Sequence, residues 1–136
     1  MSQQMEIGFP GGRRVDAQYD GFRIATDQSP DSGGEGSAPE PFDLFLASLG
    51  TCAGVYVSAF CEKRGIPTDG IRLVQSWTRD EKTRGLTEIR IDIEVPPDFP
   101  EKYLTALERA ADQCSVKKVL NDPPALSTRA ALRTTS

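Results

Sequence analysis

Histidine is wholly absent from the 136 residues. That absence removes Ser-His-Asp and Cys-His constellations, imidazole metal ligation and histidine acid/base pairs, and leaves general-base work to carboxylates or thiolates. Cysteine is scarce: Cys52, Cys61 and Cys114 are too few for a disulfide scaffold and lack the C-x-x-C pairing of a zinc site. No structural metal is expected. Basic clusters are missing too, and 16 Lys+Arg against 20 Asp+Glu leave a net charge of -4, so nucleic acid is not an expected partner. The opening Met-Ser-Gln-Gln-Met-Glu-Ile has neither a basic n-region nor an apolar h-region. The expectation is a cytoplasmic protein whose thiols are kept reduced.

With 38% hydrophobic and 26% charged residues, the chain has ordinary globular composition and length for a single domain over 1–136. One stretch stands out. The eighteen residues Leu44–Cys61 carry no charge, which meets the length rule for a membrane span. Ser48, Gly50, Thr51, Gly54 and Ser58 interrupt it, Asp43 abuts it, and nothing else suits a membrane protein. We read it as a central helix buried on all sides in a core, with no membrane partner.

The rest of the chain supplies partners for that helix. Residues 13–19 alternate around Val15, Ala17 and Tyr19, and Asp20-Gly21 leads into Phe22–Thr26, a strong hairpin signal. Gln28–Pro41 is rich in Pro, Gly and Ser without the Gly-Lys-Ser/Thr ending of a phosphate loop; it reads first as a flexible surface loop and second as the mouth of a site. The central helix is expected over about Phe42–Arg64, stopping at Gly65. Ile71–Thr78 and the alternating Leu86–Val95 read as strands. A second helix, with Asp98 as N-cap and Pro100 near N1, carries Tyr103, Leu107, Ala110 and Cys114 along one buried stripe, and Val116, Val119 and Leu120 extend an apolar face. A short strand at Ala125–Leu132 closes the order ββ-α-ββ-α-β. The class is α+β, antiparallel sheets around a long buried helix.

Cys52 and Cys61 lie 2.5 turns and about 13.5 Å apart on one helix, on opposite faces, so they cannot bridge. Taken singly, core packing is the ordinary place for Cys52 and Cys114. Small residues flank Cys52 in Gly50-Thr51-Cys52-Ala53-Gly54 and allow a backbone or ligand close to its sulfur. If the two helices pack together, Cys114 comes within reach of Cys52; a permanent link would restrict the unfolded chain by about 4 kcal/mol, whereas a reducing cytosol favours a transient, catalytic one. A reactive thiolate needs a nearby cation or a helix N-terminus. Cys114, ahead of Ser115-Val116-Lys117-Lys118, is placed to begin a new helical turn. Cys52 is mid-helix and requires an arginine from elsewhere, with Arg13, Arg14 and Arg23 as candidates. On a strand, only one of Arg13 and Arg14 turns inward.

At these residues the chain resembles the OsmC/Ohr family of osmotically inducible and organic-hydroperoxide-resistance proteins. The resemblance rests on Gly11-Gly12-Arg13, Gly33-Gly34, Ala38-Pro39, Leu44 to Cys52 on the central helix, and Cys114-Ser115-Val116. It implies an intertwined homodimer with each long helix at the interface and a thiol peroxidase site formed from both subunits. Cys52 is similar to the peroxidatic cysteine, Cys114 to the resolving one, and Arg13 to the arginine that holds the thiolate. Pro41-Phe42 stands where the organic-hydroperoxide branch has Pro-Glu, and Asp43 matches the acidic position of the less characterised branches.

The implied chemistry is reduction of an organic hydroperoxide by Cys52, condensation of the sulfenic acid with Cys114, and recovery by an external thiol or dithiol. It needs no metal and no organic cofactor. Phe42, Phe45 and Tyr56 would supply an apolar substrate site. The alternative of another class is a non-enzymatic small-molecule binding or redox-sensing protein of the same fold; a third is a structural dimer with buried thiols.

Overall fold

The computed structural model describes residues 3–134. Its internal contacts divide the chain into two compact units, Met1–Leu49 and Gly50–Ser136.

The first unit holds a three-stranded antiparallel sheet, β1 (Glu6–Gly11), β2 (Arg14–Tyr19) and β3 (Phe22–Thr26), in that spatial order. Asp20 and Gly21 both take left-handed φ values, 50° and 80°, and set Tyr19 opposite Phe22. That is the backbone a two-residue hairpin turn requires. β1 is an element the sequence analysis does not assign; it contains Gly8, Pro10 and Gly11, residues that ordinarily weaken a strand. The sheet admits them by slipping register between Gly8 and Gly11 on an edge strand, where a proline lacking its N–H is tolerated. Arg13 consequently sits in the Gly12-Arg13 turn joining β1 to β2, not on a strand, and strand alternation does not set its direction.

α1 runs from Pro41 to Lys63 and passes through the boundary of the two units. Pro41 takes the first helical position, where its missing N–H costs nothing. Asp43 completes the start by accepting the Glu40 N–H at 3.0 Å, the backward half of a capping box. The helix stops as the sequence predicts: Gly65 adopts φ 64°, Gly65 N–H reaches Glu62 O, and Ile66 N–H reaches Cys61 O, the two bonds of a Schellman ending. The helix is long and apolar enough to cross a membrane by length and composition. Only 33% of its most apolar window is buried, along the stripe Leu46, Leu49, Ala53, Val57, Phe60 and Cys61, while Val55 is 64% exposed.

The second unit pairs β4 (Arg72–Arg79) with β5 (Leu86–Glu94) in an antiparallel hairpin and adds α2 (Leu104–Ala111) and α3 (Ser115–Asn121). A lone two-stranded hairpin is marginal in water, so it needs a packed face. Leu73, Ile91 and Ile93 supply that face, against a cluster of Ala53, Val57, Phe60, Cys61, Phe99, Leu107 and Ala111. Leu107, 1% exposed, contributes about 1.5–3 kcal/mol by leaving water.

Three expectations in this unit are corrected. The second helix begins later, with a 3-10 turn at Glu101–Tyr103 preceded by Pro100 rather than Asp98 as its cap. It then breaks after Ala111, and Cys114, at the non-helical φ -44° and ψ 122°, caps the separate α3. The stripe spacing from Tyr103 to Cys114 held for burial, with Cys114 2% exposed, but Val119 and Leu120 beyond the break are half exposed. Lastly, Ala125–Leu132 forms no strand; no described edge pairs with it, and Leu126 and Leu132 lie 92% and 97% exposed. A strand requires a hydrogen-bonding neighbour.

Candidate active site

The second unit brings two of its three cysteines together. All three are free thiols, with Cys52 half-buried on α1 and Cys114 buried at the start of α3. The break after α2 turns the first amides of α3 toward Cys52: Ser115 N–H donates to its Sγ at 3.3 Å. The Cys52 thiol is held below its ordinary value first by the Val116 N–H, then by the Cys114 thiol and by Ser115, against an opposing effect of burial. Mid-helix Cys52 therefore receives the amides of a second helix's first turn, an electropositive partner its own helix cannot offer.

Cys114 has a structural duty as well. Its Sγ accepts the Lys117 N–H at 3.4 Å, as an N-cap does. Lys117 and Lys118 reach back over the break to Asp112 at 2.7 Å and to Gln113 at 3.2 Å, fastening α3 to the end of α2.

Sequence reasoning missed two features of this arrangement. One is the pair of amides at Ser115 and Val116, since a backbone donor leaves no mark in composition; the signal was the placement of Cys114 just ahead of a helical turn. The other is Gln75 on β4. A side-chain carbon on Gly50 would lie 2.5 Å from Gln75 Oε1, so Gly50 is bare in order to admit that amide two residues from Cys52. The small residues around Cys52 do make room, at Gly50, while Gly54 faces no atom within 4 Å.

Cys61 lies apart from this cluster. It is fully buried in the core, and burial pushes its thiol up, offset in part by Arg64. Arg64 itself covers the Phe60 ring at 3.6 Å from its centroid.

The first unit carries the other expected residues. Of the three candidate arginines, Arg23 is engaged by Asp16 at 2.6 Å and Arg14 bonds the Gly11 carbonyl at 3.3 Å. Arg13 lays its guanidinium along Gly33: a side-chain carbon there would stand 3.5 Å from Arg13 Nε. Among the described residues no ion pair joins Arg13 to Asp43, whose carboxylate serves the helix start. Phe42 and Phe45 form an aromatic pair with centroids 5.3 Å apart. Tyr56, in the second unit, is half-buried. Among the described residues no group of three or more His, Cys, Asp or Glu is arranged to hold a metal ion.

An antiparallel α+β chain with a half-buried two-cysteine cluster defines a class, and comparison with known proteins places it. Residues 34–129 match the family described as OsmC-like protein, and the chain belongs to that family. No curated protein matches. Among solved structures, the chain is similar to a candidate osmotic stress induced and detoxification response protein of Psychrobacter arcticus 273-4, at 23% identity and a TM-score of 0.71 over 87% of each chain. It is similar to an OsmC-like protein of Mycoplasma pneumoniae at 16% identity and 0.70, over 90% of this chain and 89% of that one. An OsmC-like hydroperoxide resistance protein of Jannaschia sp. CCS1 shares 22% identity and a TM-score of 0.54, over 96% and 93% of the two chains. At these identities the likeness is one of fold.

Proposed function

We propose that this protein is a cytoplasmic, thiol-dependent peroxidase for organic hydroperoxides. The observation that carries the reading is the placement of Cys52 Sγ against the first amides of α3, with Cys114 as its neighbour. The Cys52 thiolate attacks the outer oxygen of the O–O bond; the alkoxide leaves, takes a proton to become the alcohol, and Cys52 becomes a sulfenic acid, oxidised by two electrons. Cys114 then attacks that sulfur, water leaves, and a Cys52–Cys114 disulfide results. An external dithiol, oxidised to its own disulfide, returns both thiols.

Arg13 is assigned to the thiolate and Asp43 to the orientation of Arg13 by the resemblance to the family. Phe42, Phe45 and Tyr56 would favour an organic over an inorganic peroxide through apolar contact. The homodimer belongs to the same proposal. Ile7, Tyr19, Phe22 and Ile24 lie on one face of the first sheet by their register, and all are more than a third exposed. An apolar face of that kind, together with the uncovered side of α1, is what a subunit interface would cover.

The test is peroxide consumption by the reduced protein with an added dithiol, comparing an aromatic alkyl hydroperoxide, hydrogen peroxide and the Cys52→Ser variant. The expected result is turnover that favours the organic peroxide, vanishes in the variant, and leaves a Cys52–Cys114 disulfide in mass mapping when the dithiol is withheld. Absence of both turnover and disulfide would move the reading to a binding or sensing protein of the same fold. The engagement of Asp43 at the helix start favours that second reading.

A further inference from the structure

Asp27 is the most completely enclosed carboxylate of the first unit, 1% exposed. Every donor around it comes from the loop between β3 and α1. Its Oδ2 accepts from Ser37 Oγ at 2.6 Å, from Ser37 N–H at 3.0 Å and from Glu35 N–H at 3.4 Å; its Oδ1 accepts from Gln28 N–H at 2.7 Å. The Asp27 N–H in turn donates to Pro39 O at 3.1 Å. A stretch that reads as flexible in sequence is gathered around one buried charge, an arrangement that would be costly unless each oxygen were satisfied.

The apex of this loop is where Arg13 lies. Gly36 N–H and Gly34 N–H close the loop onto Gln28 O and Ser29 O, each at 3.0 Å, and a side chain on Gly34 would overlap the Gln28 carbonyl. Gly33, at φ 91°, then offers bare backbone to the Arg13 guanidinium, with its Nε, Nη2 and Cζ all within 3.5–3.8 Å of where a side-chain carbon would stand. Arg13 makes no ion pair among the described residues, so no carboxylate fixes its direction; contact with the loop does.

We infer that Asp27 is a positioning residue for Arg13: by drawing four loop donors onto its carboxylate, it holds Gly33 as the platform on which the guanidinium rests. The inference depends on the peroxidase reading, in which Arg13 serves the reacting thiolate. It concerns a residue outside the cysteine cluster, acting through another.

A double-mutant cycle tests it, with peroxide consumption measured for Asp27→Asn, Arg13→Ala and the two combined. Asparagine turns an amide donor toward amides that need an acceptor, so the loop should lose its anchor and the rate should fall by about tenfold or more, as misplacement of a positioning group commonly causes. In the Arg13→Ala background the same change should add less than about twofold, since the group it positions is gone. Ser37→Ala, which removes a single donor and keeps the charge, should give a smaller loss with the same non-additivity. It serves as the measured variant if Asp27→Asn does not fold.

Full rate in Asp27→Asn, or a loss repeated in full without Arg13, would overturn the positioning role and leave the peroxidase reading standing. Full rate in Arg13→Ala beside a dead Cys52→Ser would strike Arg13, and Asp27 with it, from an otherwise intact two-cysteine mechanism. No turnover in the unaltered chain would overturn both.

Discussion

Cys52 and Cys61 stand on the same helix and have opposite chemistry. Cys52 meets the first amides of α3 and is drawn toward the thiolate, first by the Val116 N–H. Cys61 sits among Val57, Phe60 and Leu107 in the core and is pushed toward the thiol by burial, even with Arg64 nearby. The helix they share therefore decides neither outcome. What separates them is the second element each one meets, an open helix start for one and aliphatic and aromatic side chains for the other.

The largest effect that could break this contrast is catalytic. Cys52→Ser should lower peroxide consumption by about a thousandfold or more, while Cys61→Ala should leave it within about twofold, measured by peroxide loss with an added dithiol. Equal losses would make Cys61 a working thiol and end the contrast.

Alkylation sharpens it without any assumption about substrate. Iodoacetamide on the folded, reduced protein should label Cys52 at least about a hundredfold faster than Cys61, which should react only when the core opens; peptide mass mapping over time reads both. Comparable rates would show that burial does not protect Cys61.

The finest cut removes the two donors of one residue, Ser115. Ser115→Pro deletes the N–H that donates to Cys52 Sγ, together with the Ser115 hydroxyl, at a helix position proline suits, and Cys114 ahead of it, at ψ 122°, lies outside the α region that a following proline disfavours. Because the Ser115 amide and hydroxyl both favour the charged form, their loss should raise the Cys52 midpoint toward 9.0, the unperturbed value, and slow labelling at neutral pH. The Val116 amide remains, so the shift should be partial. An unmoved midpoint would assign the activation elsewhere.

Much of this was legible in the sequence where local chemistry decides the structure. The Asp20-Gly21 turn, the Gly65 stop and the alternation of β5 are local signals, and each element formed within a residue or two of its expected span. The two cysteines that meet were also legible, through the motifs around them. What escaped depended on partners distant in sequence. β1 contains Gly8, Pro10 and Gly11, and only pairing with β2 makes it a strand. The break at Cys114 interrupts a stripe whose spacing suits one continuous helix, because Cys114 turns its sulfur to the Lys117 amide. Asp27 goes unremarked in the sequence, since the donors gathered on its carboxylate lie up to ten positions away.

The sulfur of Cys114 holds a backbone amide while it stands ready beside Cys52. A covalent bond between the two would withdraw the acceptor from Lys117 N–H and the thiolate from Ser115 N–H together, leaving the opening turn of α3 short of two partners. Oxidation would thus be recorded in the backbone as well as in the thiols. Amide hydrogen exchange at Ser115 and Lys117 would serve as a clock hand for the reaction, readable in a protein whose cysteines have not been touched by any reagent.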